Sequence, residues 1–510
     1  MMRTGLRCFG LNALMWVLCV SLTFAAGTAQ PTRQQFESFD RDPGWEGLNN
    51  RLVDLDRPIV RQRFGWRPSR FAGGQGGEIG GVIWRSATPA WYGLPFDKPL
   101  TLDDHLSASG RFSLGQMVVA NQWHTSSAVY LGFFNHREQG WRAINYMGFR
   151  LFGQRDYEFT TYEGISAGAL VEAGIGTSAY ASSGALLGEF RGGRLRDMKP
   201  EDMVNILPDN STHTFRFTYD PKGGNGWGSY TFGVDGKSTR TTELGEDFRR
   251  MGATFDHFGI FNEQLPGYQM TAFFDDLTIN GRTFDFAKDP GWEGSGNNAT
   301  FNDEVQYGAN DFGWRTTAHA GGKAPGEVGG RLWQVNRDQD WIKAYLGADV
   351  GRLSLENRLV ARGRIAFPRF GTDSAMQLGW FNAAGQTWPT HNFVGVYLDS
   401  LSDVGRIMVP MIGTRAFKEN DNGSSVPRIL FIPDGRVYDF SIQYDPAGAE
   451  GPGKLTIILG DQKTALPLSH EQRADGAYLN RFGLFNTQSN NGKFCEVYLD
   501  DIEFTVEAKR

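Results

Sequence analysis

Asp42-Pro43-Gly44-Trp45-Glu46-Gly47, followed by Asn49-Asn50, recurs as Asp289-Pro290-Gly291-Trp292-Glu293-Gly294, followed by Asn297-Asn298. Working outward, Phe64-Gly65-Trp66-Arg67 recurs as Phe312-Gly313-Trp314-Arg315. Ala72-Gly73-Gly74 with Glu78-Ile79-Gly80-Gly81 and Trp84 recurs as Ala320-Gly321-Gly322 with Glu327-Val328-Gly329-Gly330 and Trp333. Leu131-Gly132-Phe133-Phe134-Asn135 matches Leu378-Gly379-Trp380-Phe381-Asn382, and Tyr219-Asp220-Pro221 matches Tyr444-Asp445-Pro446. Phe258-Gly259-Ile260-Phe261-Asn262 matches Phe482-Gly483-Leu484-Phe485-Asn486, and each half closes on Asp275-Asp276-Leu277 or Asp500-Asp501-Ile502. Blocks in one order establish a tandem duplication. The unit of about 225–245 residues is too long for a solenoid repeat and suits a complete β domain.

Glycine, at 66 of 510 residues, and 13% aromatic content point to many strands and turns. Period-two alternation confirms the type. His213 to Tyr219 places Phe215, Phe217 and Tyr219 on one face, then Asp220-Pro221 and a Gly-rich turn lead to Ser229–Val234 and Asp235-Gly236. Val437 to Tyr444 and Lys454 to Leu459 repeat this hairpin. Helix is expected only at Glu246 to Met251 and Ser469 to Ala474. Domains are expected at 35–281 and 282–506. The short Asn280-Gly281-Arg282 join predicts that they pack together.

Residues 1–29 read as a secretory leader: Arg3 and Arg7, an apolar run from Leu11 to Ala26, then small residues at Gly27-Thr28-Ala29. Its removal leaves Cys495 as the sole cysteine, so no internal disulfide is expected and a bacterial secreted or periplasmic protein fits best. The apolar run is too short for a membrane span. Asp and Glu total 57 against 51 Lys and Arg, with no basic stripe, which argues against nucleic acid as a partner. A monomer is expected.

A strand ending in Tyr-Asp-Pro, a Gly-rich hairpin, a short helix, Phe-Gly-hydrophobic-Phe-Asn and a closing Asp-Asp-hydrophobic strand resemble the C-terminal half of concanavalin A-like domains. That superfamily includes laminin-G-like, lectin and glucanase members. The resemblance implies an all-β protein of two tandem jelly-roll β-sandwiches that engages a polysaccharide. The Glu-x-Asp-x-x-Glu or Glu-x-Asp-x-Glu strand of its glucanases does not occur here, and Gln122-Trp123-His124 only loosely echoes the Gln-Ile-His of jelly-roll alginate lyases. Some laminin-G-like domains bind calcium, so Asp275-Asp276 and Asp500-Asp501 are either calcium ligands or turn residues; no other cofactor or metal is expected.

The site residues are read from differences between the halves. Asn145 to Phe217 spans 72 positions where Asn392 to Ile442 spans 50, which leaves an extra stretch within 154–207. His124, His136, Arg137 and Glu138 have no like residue in the second half. The expected groove of the first domain therefore takes Glu138, Asp156 and Glu163 as candidate acid or nucleophile, with His124 and His136 as further catalytic groups. Trp141 and Tyr146 would stack on sugar, and Arg142, Asn145 and Arg150 would bind it. Trp388 and Asn392 offer a smaller platform in the second half, with His391 and Tyr397 nearby. Glu78 and Glu327, each before Gly-Gly, are either ligand-binding or buried and held by turn amides. Trp45 with Glu46, and Trp292 with Glu293, are either sugar contacts or packed turns. A glycoside hydrolase is the favoured reading. A non-catalytic glycan-binding or surface-adhesion protein is the alternative.

Overall fold

The computed structural model describes residues 29–52, 59–74, 76–118, 127–137, 144–153, 169–176, 185–186, 205–236, 238–306, 308–334, 343–371, 374–385, 390–401, 405–416, 426–487 and 494–508. Four large antiparallel sheets stack in pairs as two sandwiches. In the first, one sheet runs Ala185–Leu186, Ala169–Gly176, Tyr146–Phe152, Ala128–Phe134, Thr254–Asn262, Trp91–Thr101, Glu293–Ser295. Its back sheet runs Ser238–Glu243, Ser229–Val234, Thr212–Asp220, Leu106–Met117, Gln269–Ile279, Glu78–Trp84, Arg63–Arg67. The second sandwich repeats this order with Glu46–Leu48, Tyr345–Ser354, Tyr478–Asn486, Ala375–Phe381, Phe393–Leu401, Gly405–Gly413 and Ile429–Leu430 facing a back sheet that contains Glu327–Trp333, Phe494–Glu507, Leu359–Phe370 and Val437–Asp445. Both are jelly-roll sandwiches of the all-β class. The short helices are Glu246–Met251 and His470–Asp475, the latter held by a Ser469/Gln472 capping box.

The alternation read from sequence decides which face is core. Val129, Leu131, Phe133, Met147, Phe149, Leu151, Phe258 and Ile260 point inward to meet Phe112, Phe215, Phe217 and Phe274 of the back sheet. The intervening residues face outward, and here one row is all glycine. Gly93 pairs with Gly259, Gly259 with Gly132, and Gly132 with Gly148, while Glu293 sits opposite Gly93 at the end of the row. The second sandwich repeats the row as Glu46, Gly347, Gly483, Gly379, Gly395. In the first sandwich Gly148 pairs on with Gly174, so its row crosses six strands where the second crosses five, about 24 Å and about 19 Å at the usual spacing.

No side chain fits there. A Cβ on Gly132 would lie 2.3 Å from the Met147 carbonyl oxygen, and one on Gly483 would lie 2.0 Å from that of Leu346. The bare backbone is instead roofed by neighbouring rings: Phe134 carbons lie 3.3 Å from the position of a Gly93 Cβ, and Phe381 Cζ lies 3.1 Å from that of Gly347. The rows on either side, Phe134 and Tyr146 on one and Trp91, Phe261 and Tyr130 on the other, close over the ladder as a buried aromatic layer.

The arms that carry the repeated Asp-Pro-Gly-Trp-Glu-Gly are interleaved. Thr32–Glu37 pairs with the last strand, Thr32 opposite Glu507 and Glu37 opposite Ile502, and Glu46–Leu48 pairs with Tyr345–Gly347. Arg282–Phe284 and Glu293–Ser295 make the equivalent pairings on Leu277–Ile279 and Trp91–Gly93. In sheet membership the N-terminal arm thus belongs to the second sandwich, and the arm after Gly281 to the first. Trp45 packs edge-on against Phe39 and Phe504, and Trp292 against Phe284 and Phe286. The arms cross in a near two-fold manner: Phe312 N donates to Asn50 O at 2.7 Å, and Phe64 N to Asn297 O at 3.0 Å. Ala87, Leu265, Val305, Trp333 and Phe494 form one apolar cluster between the sandwiches, and Arg369 donates to Ala87 O at 2.7 Å.

Gly132→Ala and Gly483→Ala are each expected to lower stability by about 3 kcal/mol or more, because backbone must move. Gly236→Ala, at φ +63° with nothing within 4 Å, should cost only about 1 kcal/mol in the same urea melts. Deleting residues 29–48 should raise amide exchange in Phe494–Glu507 and leave Gln269–Ile279 protected.

Candidate functional site

The accessible polar groups gather at the Glu293 end of the first ladder. His257 stands in the outward row beside Phe134, and its strand partner Asp256 lies at the rim. His136 follows the end of Ala128–Phe134 and donates its amide to Asp256 Oδ1 at 2.9 Å. The His136 ring Nδ1 lies 2.6 Å from Asp256 Oδ2, and His257 Nδ1 lies 2.8 Å from Asp256 Oδ1. On its other side His257 Nε2 faces Glu293 Oε2 at 3.3 Å. Trp91 packs against both imidazoles, at centroid distances of 5.5 Å and 4.7 Å. Burial alone would raise the Asp256 carboxyl. Hydrogen bonds from the His257 ring and from the His136 amide and ring outweigh it and hold that carboxyl below its ordinary value.

The second sandwich solves the same position differently. Arg481 replaces His257, Asn480 replaces Asp256 and Ala383 replaces His136. The Arg481 guanidinium binds Glu46, the counterpart of Glu293, and lies 3.6 Å from Asp349. Hydrogen bonds from the Tyr345 hydroxyl and then from Arg481 hold the Glu46 carboxyl low, while burial, aided by Glu46, pushes the Tyr345 phenol up to about 12.

Of the residues expected at a site, His136 joins this cluster. Arg150 is buried, its Nε 2.7 Å from Glu263, which also pairs with fully buried Arg85 at 2.7 Å. Tyr146, expected to stack on sugar, is 1% exposed and packs against Tyr130 and Phe261 inside the aromatic layer. Asn145 and Asn392 adopt left-handed backbones, φ +46° and +52°, and their side-chain oxygens accept from Thr254 N and Tyr478 N. Their amides thereby tie strand ends. Glu78 is fully enclosed: its carboxylate takes the Ser69 hydroxyl and the Phe71 and Ala72 amides, and Glu327 does the same with Thr317, His319 and Ala320. This is the turn-holding role, and it leaves neither oxygen of Glu78 facing a ligand. In the second sandwich Tyr397 is buried, whereas Tyr478 is 58% exposed with the Arg415 guanidinium 5.3 Å from its ring centre. His124, Glu138, Trp141, Arg142, Asp156, Glu163 and Trp388 lie outside the described residues, as does most of 154–207.

Trp91, Asp256 and His257 escaped the sequence reading. Their signal was present: the Phe-Gly-hydrophobic-Phe-Asn block sets Asp256-His257 against Asn480-Arg481, a difference of the same kind as His136 against Ala383.

The Asp-Asp pairs split their roles. Asp276 and Asp501 take positive φ at a strand irregularity, and each donates its amide to the preceding carboxylate at 2.7 Å. Asp275 Oδ2 and Asp500 Oδ2 are buried without a hydrogen-bond partner. Burial, with Asp276 and Glu78 close to the first and Asp501 and Glu327 close to the second, pushes each of these carboxyls up to about 6. One buried oxygen in each pair falls short of the six to eight oxygen ligands that calcium takes, and Glu78 and Glu327 are already held by turn donors, so the described residues do not fit the calcium implied by the resemblance.

No protein-family model matches the chain, and no curated protein matches it either. Among solved structures, domains LG4-5 of the mouse laminin α1 chain align over 88% of this chain and 90% of their own length, at 12% identity and a TM-score of 0.21. The metal-free lectin I-B4 from Griffonia simplicifolia aligns over 38% of this chain and 91% of its own, at 15% identity and 0.22. The Emp47p carbohydrate recognition domain aligns over 38% and 89%, at 11% identity and 0.26. Strand order and pairing make each half a two-sheet antiparallel jelly-roll sandwich.

In chelator-treated protein, Asp275 and Asp500 bind protons more tightly when folded than when unfolded. Their contribution to stability is therefore full below the unfolded carboxyl value, about 4, and is lost as pH rises through about 6. Melting temperature is expected to climb from pH 7 to pH 5, and Asp500→Asn should flatten part of that rise.

Proposed function

We propose that this chain is a non-catalytic glycan-binding protein, with its principal site at the Glu293 end of the first aromatic layer. The observation that supports this reading best is the convergence of Trp91, His136, Asp256, His257 and Glu293 at one rim. Trp91 and His257 are buried behind the rim and hold it in place, while part-exposed His136 and Asp256 and open Glu293 offer groups for the paired hydroxyls of a sugar. Glu293, 60% exposed at its side chain, offers the most open acceptor. Tyr478 with Arg415 gives the second sandwich a smaller exposed ring of the same chemical kind.

The favoured glycoside hydrolase finds no support among the described residues. Glycoside hydrolysis needs a protonated carboxyl beside an open groove. Asp256 at the rim is held ionised by three hydrogen bonds. The aspartates with raised values, Asp275, Asp303 and Asp500, are 0–1% exposed inside the sandwiches or between them. Secretion to the periplasm or beyond, where polysaccharide would be met, belongs to the same proposal.

Affinity electrophoresis against a polysaccharide panel is expected to show retardation by at least one glycan, with no new reducing ends and no unsaturated products. Glu293→Gln should weaken that retention about tenfold, the size of one charge-assisted hydrogen bond. Release of fragments by the purified chain would establish an enzyme instead, and absence of retention on every glycan would remove the binding reading.

A further inference from the structure

We propose that His136, Asp256 and His257 form a site for a divalent transition-metal ion, with zinc the best match. One nitrogen of each imidazole and one Asp256 oxygen lie within 4.8 Å of one another. Two adjacent strands supply them, and Trp91 packs against both rings, whose centroids are 5.0 Å apart. The site is therefore held by packing before any ion arrives.

His257 also faces a second carboxylate. Its Nδ1 is 2.8 Å from Asp256 and its Nε2 is 3.3 Å from Glu293. In the second sandwich the Arg481 guanidinium stands at this position against Glu46 and Asp349. There the other two groups are absent as well, replaced by Ala383 and Asn480. Asn480 keeps one role of Asp256, accepting the Ala383 amide at 2.9 Å as Asp256 accepts that of His136, but neither imidazole has a counterpart there.

Donor type selects the ion. Two imidazoles and one carboxylate suit zinc and its borderline neighbours, whereas calcium and magnesium prefer all-oxygen sets. Zinc–ligand bonds of about 2.0–2.1 Å place neighbouring ligand atoms about 3.3 Å apart in a tetrahedron. The Asp256–imidazole contacts of 2.6 and 2.8 Å then open by about 0.5–0.7 Å to admit the ion. Water completes the shell on the open side, where the His136 side chain is 31% exposed. Binding of the ion does not rest on glycan recognition.

The test uses the full chain and the metal alone. Calorimetric titration with zinc, and the visible d–d absorption of cobalt(II), are expected to report one micromolar or tighter site that millimolar calcium does not displace. His257→Arg imports the second sandwich's cation and should abolish the cobalt bands while the melting temperature holds. Asp256→Asn, nearly equal in volume, should weaken zinc by at least about tenfold, and it carries the test if His257→Arg folds poorly. His319→Ala, remote in the turn between Asp311–Arg315 and Glu327–Trp333, should change nothing. Absence of zinc and cobalt binding to the wild-type chain, or unchanged binding in both site variants, overturns the proposal.

Discussion

Close approach of backbone to backbone along the two glycine ladders is the constraint on which the rest of the structure depends. At Gly259 a Cβ would stand 2.2 Å from the Tyr92 carbonyl oxygen, and at Gly395 one would stand 2.2 Å from that of Leu378. Each ladder leaves a strip of sheet without side chains, and large rings from the flanking rows lean over it. Phe134 and Phe261 meet at 4.9 Å across the first ladder, and Phe381 and Phe485 at 4.7 Å across the second. The rings then have no room to turn. They place Trp91 against the imidazoles and so set the geometry of the rim.

Interleaving of the arms makes that rim a tertiary product. The glutamate of each repeated segment reaches the ladder end only because its arm adds as an edge strand: Glu293 opposite Gly93, Glu46 opposite Gly347. For the second sandwich the arm comes from the far end of the chain, and Thr32–Glu37 lies along the last strand. The pairing closes the molecule by joining its first strand to its last. The two sandwiches are further locked by the crossing of Asn50 with Phe312 and of Asn297 with Phe64.

The duplication serves as an internal control on what the fold requires. Features present in both halves have shared structural partners: Glu78 and Glu327 hold turns, Asn145 and Asn392 tie strand ends, Tyr219 and Tyr444 donate to Leu102 and Leu355 carbonyls at 3.0 Å. Features present in one half have a different status. Arg85, Glu263 and Arg150 form a buried charged group where Gln334, Thr487 and Tyr397 stand in the second half, and His136, Asp256 and His257 oppose Ala383, Asn480 and Arg481. Identity between halves marks folding, and divergence at a solvent-facing rim marks chemistry.

The β class, the hairpin at Tyr219-Asp220-Pro221, its copy at Tyr444-Asp445-Pro446 and both short helices were legible from the chain alone, because alternation, turn residues and caps act between near neighbours. The sequence by itself determined the duplication and, for the strand His213–Tyr219, that Phe215, Phe217 and Tyr219 share one face. Only the tertiary structure decided that Gly93, Gly259, Gly132, Gly148 and Gly174 form one row, since Gly259 meets Gly93 and Gly132 from far along the chain and that register is set by packing. It also decided that the N-terminal arm completes the distant sandwich, that Tyr146 and Arg150 are enclosed, and that Asp256 and His257 meet His136. Those outcomes depend on which surfaces find one another when apolar area is buried, and the local pattern does not encode that.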